Sequence, residues 1–276
     1  MPRRVLVVAN ETVGGEGLIE SLQRRAAEGP LHATVIAPVN APRQGYVVYA
    51  DTRRASAGRR LDRTLERLRA AGIPADGYVV ESDPADAVAD AIAQMEPRPA
   101  EIVVSTHPEA KSGWMRRHVV DRIRAVARDI PVEHVVSEPT AGGAANVLVL
   151  ANETVLGGPL LDRIRERAAR SAASFLIICP KSDPTQAAHP EAERRLRRAL
   201  STLRSEGIEA HGQVTHPDPY TAAMQVLADE RVDEILVSTF PGERSGWLRR
   251  DLVGRLRKDA GVPVEHVIVE PAKVSA

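Results

Sequence analysis

Apolar residues in this chain come in short unbroken runs, separated by stretches in which they recur every three or four positions. RVLVVA from Arg4 and ATVIAP from Ala33 are continuous runs, the mark of strands buried on both faces. Between them Leu18, Ile19 and Leu22 fall at helical spacing. The alternation continues with a helix LDRTLERLRAAG from Leu61, closed by Gly72, and a third strand ADGYVVES from Ala75. A helix follows in DPADAVADAIAQM, with Asp83 as its N-cap and Pro84 in its first turn. EIVVST from Glu101 is a fourth strand, and VEHVVSE from Val132 a fifth. Between those two, SGWMRRHVVDRIRAVARD from Ser112 reads as one helix with Met115, Val119, Ile123 and Val126 on a single stripe. Strands alternating with helices of this length imply right-handed crossovers and a parallel sheet covered on both faces.

The pattern is then written a second time. VLVVANETVGGEG at Val5 returns as VLVLANETVLGGP at Val147, EIVVSTHPEAKSGWMRR at Glu101 as EILVSTFPGERSGWLRR at Glu234, and PVEHVVSEP at Pro131 as PVEHVIVEP at Pro263. The spacing between matched residues falls from 142 (Asn10 to Asn152) to 135 (Gly72 to Gly207) and 132 (His134 to His266). The largest step leaves seven extra residues in the first copy, within NAPRQGYVVYADTRRASAGRR from Asn40, which reads as the most variable loop. The expected organisation is two tandem α/β domains, 1–139 and 146–276, each a five-stranded sandwich. TAGGAA, Thr140 to Ala145, joins them as a flexible linker of small residues.

Composition narrows what such a pair can do. The 276 residues suit two domains of ordinary size, and 43% hydrophobic with 27% charged is a globular composition rather than a disordered one. Positive and negative residues balance at 37 each, so there is no net attraction to nucleic acid or to an anionic membrane. Aromatics at 3% provide few stacking platforms for single strands. No apolar run approaches the ~18 residues of a membrane span, and MPRR leads directly into a strand without a secretory pattern, so a cytoplasmic protein is expected. The single cysteine, Cys179, ends the apolar run FLIIC and reads as a buried small hydrophobe.

In open parallel sheets ligands bind beyond the carboxyl ends of the strands, where the strand order reverses. Two turns per copy leave such ends with a repeated polar sequence: A-N-E-T-V-x-G after the first strand and S-T-x-P-x-x-x-S-G-W after the fourth. In the first turn Thr12 or Thr154 is placed to cap the coming helix, and Asn10 or Asn152 suits a strand end, which is a complete structural explanation. The alternative is that the helix amides and these side chains hold a polar or anionic group. The turn is neither a Walker loop nor G-x-G-x-x-G. In the second turn Ser112 and Ser245 are N-caps. Arg116 and Arg249 fall in the first helical turn, where a cation opposes the helix dipole, so either a bound anion or a general abundance of arginine accounts for them. Trp114 and Trp247, the only tryptophans, read as core or interface anchors. Glu133-His134 and Glu265-His266 point to opposite faces of the last strand. One ligand per face is too few for zinc, and they read as polar guards of an edge strand, with no metal expected.

The order of these motifs resembles the universal stress protein family, as a tandem pair. The likeness covers nearly the whole chain and lies chiefly in ESDPADAVADAI, the EIVVST strand with its loop, and the closing PVEHVV. It implies an adenine-nucleotide-hydrolase-like sheet of order 3-2-1-4-5, with the A-N-E-T and S-T-x-P turns brought together at the switch point. Many members bind ATP there through an acidic residue after strand 1 and a G-x-x-G-x9-G-(S/T) motif after strand 4. This chain has Asn10 and Asn152 at the acid, Ser105 and Ser238 at the first glycine, and Pro108 and Pro241 at the second. His118-Val119 and Asp251-Leu252 stand at the third glycine and its hydroxyl residue. Proline offers no amide to a phosphate, and a side chain blocks close backbone approach. The chain is thus closer to members that lack the glycine motif and do not bind ATP.

The expected function is a stress-response regulatory or binding module that takes a nucleotide or other small anion, with ATP or AMP the cofactors the resemblance suggests. The candidate ligand residues are Asn10, Thr12, Gly15, Ser105, Thr106, Ser112 and Arg116, with Asn152, Thr154, Gly157, Ser238, Thr239, Ser245 and Arg249 in the second copy. No acid–base pair, nucleophile with a neighbouring base or catalytic lysine stands in either turn, so no enzyme is expected. A nucleotide hydrolase or adenylating enzyme of the same fold, and a non-binding interaction platform, are the alternatives. Two similar copies are expected to pair as an internal pseudo-dimer, and two chains as a homodimer.

Overall fold

A computed structural model describes residues 2–9, 15–39, 46–48, 50–106, 118–136, 144–180, 190–229, 231–242 and 245–270. The first copy runs β1 (Arg3–Val8), α1 (Glu16–Glu28), β2 (Leu31–Pro38), β3 (Tyr46–Val48), α2 (Ala50–Ala70), β4 (Ala75–Val80), α3 (Pro84–Gln94), β5 (Glu101–Thr106), α4 (Val119–Ala127) and β6 (Val132–Val136). The second runs β7 (Ala145–Leu150), α5 (Gly158–Arg170), β8 (Ala173–Pro180), α6 (Pro190–Ser205), β9 (Glu209–Thr215), α7 (Pro219–Asp229), β10 (Glu234–Thr239), α8 (Gly246–Arg249), α9 (Leu252–Asp259) and β11 (Val264–Ile268). The chain divides into two compact units, Met1–Ala41 with Arg53–Ala141, and Pro42–Thr52 with Gly142–Ala276.

The sheet of the first unit has the order β4-β2-β1-β5-β6, all parallel, which is the expected 3-2-1-4-5. Its centre is made by the period-two alternation of β1. Val5 and Val7 point to one face, against Leu18 and Leu22 of α1 and Leu65 and Leu68 of α2. Leu6 and Val8 point to the other, against Val88 of α3 and Ile123 of α4. Each of these side chains, removed from water, contributes roughly 1.5–3 kcal/mol of transfer free energy. β7 repeats the arrangement, with Val147 and Val149 on Leu160 and Leu196, and Leu148 and Leu150 on Ala223 and Leu256.

Local signals fall where the sequence places them. Asp83 caps α3, accepting from the Ala85 amide at 2.9 Å with Pro84 following. Gly72 follows α2 at φ +76°, a conformation costly for any residue with a Cβ. Two expectations need correction. The segment from Asn40 is not all loop: α2 already starts at Ala50, and residues 46–48 form β3. β3 pairs antiparallel with β9, Tyr46 opposite Val214, so the second unit's sheet has a sixth strand outside the expected five, in the order β11-β10-β7-β8-β9-β3. The one-helix reading after the fourth strand also fails. In the second copy the chain makes the single turn α8, then Asp251 at φ 47°, then α9. In the first copy His118 at φ 51° precedes α4 in the same way. Asp tolerates this left-handed backbone, and its carboxylate repays the strain by accepting from the Gly254 amide at 3.3 Å.

Strands β6 and β11 are sheet edges, as the Glu-His pairs suggested. Their glutamates are ion-paired across to the helices. In the first copy Arg25, 8% exposed, reaches both Glu101 (2.9 Å) and Glu133. In the second copy two arginines share the task, Arg163 on Glu265 (2.6 Å) and Arg167 on Glu234. Among the described residues no helix is long and apolar enough to cross a membrane, and no group of three or more His, Cys, Asp or Glu is placed to hold a metal.

Candidate functional site

Strands β7 and β10 are neighbours at the centre of the second sheet, and the chain leaves them towards opposite sides. Their carboxyl ends open a cavity of about 130 Å³, lined by Asn152, Glu153 and Thr154 from the first turn and by Ser238, Thr239, Phe240, Ser245, Gly246 and Trp247 from the second. The structure therefore brings together the second-copy candidates Asn152, Thr154, Ser238, Thr239 and Ser245. In the first copy Asn10, Thr12, Ser112 and Arg116, with Trp114, lie outside the described residues. Ser105 and Thr106 are buried at the end of β5.

Each polar group has a distinct task. Thr154 is 4% exposed and does not cap α5. Its hydroxyl donates to the Ser238 carbonyl at 3.1 Å, tying the two turns together. The N-cap of α5 is Gly157, with no side-chain cap bond, because residues 152–156 turn once more before the helix begins. Gly15 holds the same place before α1. Gly157 is also explained by packing: a Cβ there would lie 2.4 Å from Cγ1 of Val269. It is a close-approach glycine beneath the turn and is not among the cavity-lining residues. Asn152 Oδ1 accepts from Arg195 Nη2 at 3.1 Å. Ser245 caps α8 as expected, accepting from the Leu248 amide at 3.3 Å. Arg249 is the last residue of that one-turn helix and Arg250 its C-cap, so neither opposes the dipole of a long helix, and the charge anomaly that pointed to an anion disappears. Ser238 is 1% exposed, and its Oγ has no hydrogen-bond partner among the described residues.

Thr239 Oγ1 lies 2.8 Å from His266 Nε2 and donates to the Phe240 carbonyl at 2.9 Å. The first copy has the same pair, Thr106 Oγ1 and His134 Nε2 at 2.7 Å. These histidines are therefore braces between the fourth and fifth strands as well as edge residues. Burial, and then the charge of Arg257, holds the His266 imidazole below its usual pKa. Burial likewise pushes the Cys179 thiol up to about 12, against the opposing pull of Arg195, as an inert core cysteine requires. Trp247 is half-buried, one side on the α7–α9 core and the other on the cavity, and so acts as an anchor.

Sequence reasoning passed over Arg195, Phe240 and the Thr–His braces. The signal for the arginine was present, since Arg59-Arg60-Leu61 returns as Arg194-Arg195-Leu196 at the same helix position. The braces link residues 27 or 28 apart in the chain and leave no local mark.

No protein-family profile matches the chain, and no curated protein matches it in sequence. Among solved structures it is similar to a universal stress protein from Archaeoglobus fulgidus DSM 4304, with 17% identity and a TM-score of 0.35 over 96% of each chain. It is similar to a universal stress protein from Archaeoglobus fulgidus in complex with dAMP, with 18% identity and a TM-score of 0.34, over 45% of this chain and 97% of that one. A putative dehydrogenase from Burkholderia cenocepacia with bound NADP follows at 13% identity and a TM-score of 0.28, over 79% and 94%. The α/β fold rests on the strand order itself rather than on any of these pairings.

Proposed function

We propose that this chain is a binding and regulatory module of the universal stress protein kind, and that its second copy takes a small polar ligand of the nucleotide class in the cleft between the β7 and β10 turns. The observation that carries this reading is the cavity wall itself: six polar residues line it, Asn152, Glu153, Thr154, Ser238, Thr239 and Ser245, and the buried Ser238 hydroxyl has no hydrogen-bond partner among the described residues. A buried hydroxyl without a hydrogen bond costs roughly 1–3 kcal/mol, which a ligand on that wall would recover. At about 130 Å³ the space is smaller than the roughly 300 Å³ at which pockets enclose whole drug-sized ligands. It suits one ring of a nucleotide, with the remainder outside.

Among the described lining residues Glu153 is the one carboxylate, and there is no histidine, lysine or cysteine to pair with it as a hydrolase would require. The test is thermal unfolding of the full chain with millimolar adenosine, AMP, ATP, cyclic nucleotides and phosphate, alongside a steady-state ATPase assay. A ligand-dependent rise in Tm without turnover is the expected result. No rise with any of them would leave a folded interaction platform, and ATP turnover would make the chain an enzyme.

A further inference from the structure

The hydrogen bonds already made on the cavity wall determine what can still be bound there. The proton of Thr154 is committed to the Ser238 carbonyl, and Thr239 is engaged by Phe240 and His266. Ser245 accepts from the Leu248 amide, and its own proton is not committed to an acceptor among the described residues. Ser238 Oγ, itself buried and without a partner among the described residues, can both donate and accept once a ligand group reaches it. The one charge among the described lining residues is negative, the exposed carboxylate of Glu153. Arg195 of α6, which reaches the first turn, donates to Asn152 and lies 3.7 Å from Glu191. The rings of Phe240 and Trp247 complete the wall.

A phosphate is held by N–H donors or positive charge, and here it would meet a carboxylate. A vicinal diol, which both donates and accepts, matches the acceptor and donor chemistry of the same wall. One hydroxyl donates to Glu153, the other accepts from Ser238 or Ser245, and the ring's C–H face lies on the aromatics. We infer, on the premise that the cleft binds a ligand at all, that the second copy's cavity holds an uncharged hydroxylated ring, the sugar of a nucleoside or a free sugar, and turns phosphate away. Binding by the second copy then favours the nucleoside over the nucleotide and weakens with each added phosphate.

The test reads the second copy alone. With Trp114→Phe in the full chain, Trp247 is the sole tryptophan, and its emission is titrated with adenosine, ribose, AMP, ATP and inorganic phosphate. Adenosine is expected to give a saturable change, AMP to bind more weakly and ATP more weakly still. Ser238→Ala is expected to weaken adenosine by roughly fivefold, the loss of one hydrogen bond. Glu153→Gln keeps the hydrogen-bonding shape and removes the charge, so it should improve AMP relative to adenosine by about fivefold. Ribose binding as tightly as adenosine would identify a free sugar as the ligand and still support the diol chemistry. Tighter binding of ATP or phosphate than of adenosine, or an unchanged AMP-to-adenosine ratio in Glu153→Gln, would overturn the inference while leaving the binding proposal standing. No change in Trp247 emission with any probe would overturn the inference, and the thermal series decides separately whether binding goes with it.

Discussion

The two copies solve the same charge problem differently. Both place a glutamate at the start of the fourth strand, Glu101 or Glu234, and another on the edge strand, Glu133 or Glu265. The first copy serves both with one buried cation, Arg25, which also bonds Ser21 one helical turn earlier, while the more exposed Arg3 lies 3.5 Å from Glu101. In the second copy the equivalent of Ser21 is Arg163, and it takes Glu265, leaving Glu234 to Arg167. Around this rewired pair the order of the five parallel strands, the Thr–His brace and the left-handed cap before α4 or α9 are unchanged. Backbone geometry, which many contacts fix at once, is retained. An ion pair is a local arrangement that one or two substitutions can re-route.

Breaking that difference should give the largest effect. Arg25→Met takes this partner from Glu133 and leaves the mostly buried Glu101 with the longer contact to Arg3, and should lower stability by about 2–3 kcal/mol in urea unfolding. Arg163→Met removes the partner of the half-exposed Glu265 and Arg167→Met that of the mostly buried Glu234; each touches one acid and should cost about 1 kcal/mol, Arg167→Met somewhat more. Equal losses for all three would mean the two networks are not different in kind. Next comes Gly157→Ala, which forces a methyl into Val269 and should cost about 2 kcal/mol. Val269→Ala should recover part of that loss, whereas a glycine kept for ligand contact would show no such coupling.

A smaller effect concerns pH. His266 binds a proton less readily folded than unfolded. Its contribution is therefore full above the unfolded value near 6.5 and is lost as pH falls below it. His266→Gln should flatten that limb of the Tm profile between pH 7 and 5. The smallest effect separates the two left-handed caps. His118 makes no side-chain cap bond, so His118→Gly should stabilise by about 0.5–1 kcal/mol. Asp251→Gly gives up the bond to Gly254 and should be within about 0.5 kcal/mol of neutral. A gain at both positions would show that the Asp251 bond contributes nothing.

These contrasts also mark what could be read from the chain. Apolar runs and their repetition were enough for the strands, the helices and their alternation, because burial on both faces of a parallel sheet writes a continuous signal. The Asp83 cap was legible because Asp-Pro is a local instruction. The break at Asp251 was not, since the apolar stripe continues across it while a single φ changes sign. Thr154 looked like a helix cap because it follows a strand, yet its partner is the Ser238 carbonyl, 84 residues away. The place of β3 in the other copy's sheet was hidden for the same reason: YVV reads as a strand anywhere, and only the free edge of β9 says where it pairs. Of the candidate site, the turns were visible as repeated polar segments. Which of their hydroxyls remain unbonded depends on contacts between segments far apart in the chain.

The central claim is that the β7–β10 cavity is a ligand site, and co-crystallisation of the full chain with adenosine tests it most directly. The account predicts a sugar ring in the cavity, with one hydroxyl on the Glu153 carboxylate and another on Ser238 Oγ. An unchanged, ligand-free cavity at a concentration that raises Tm, with adenosine bound elsewhere, would contradict it.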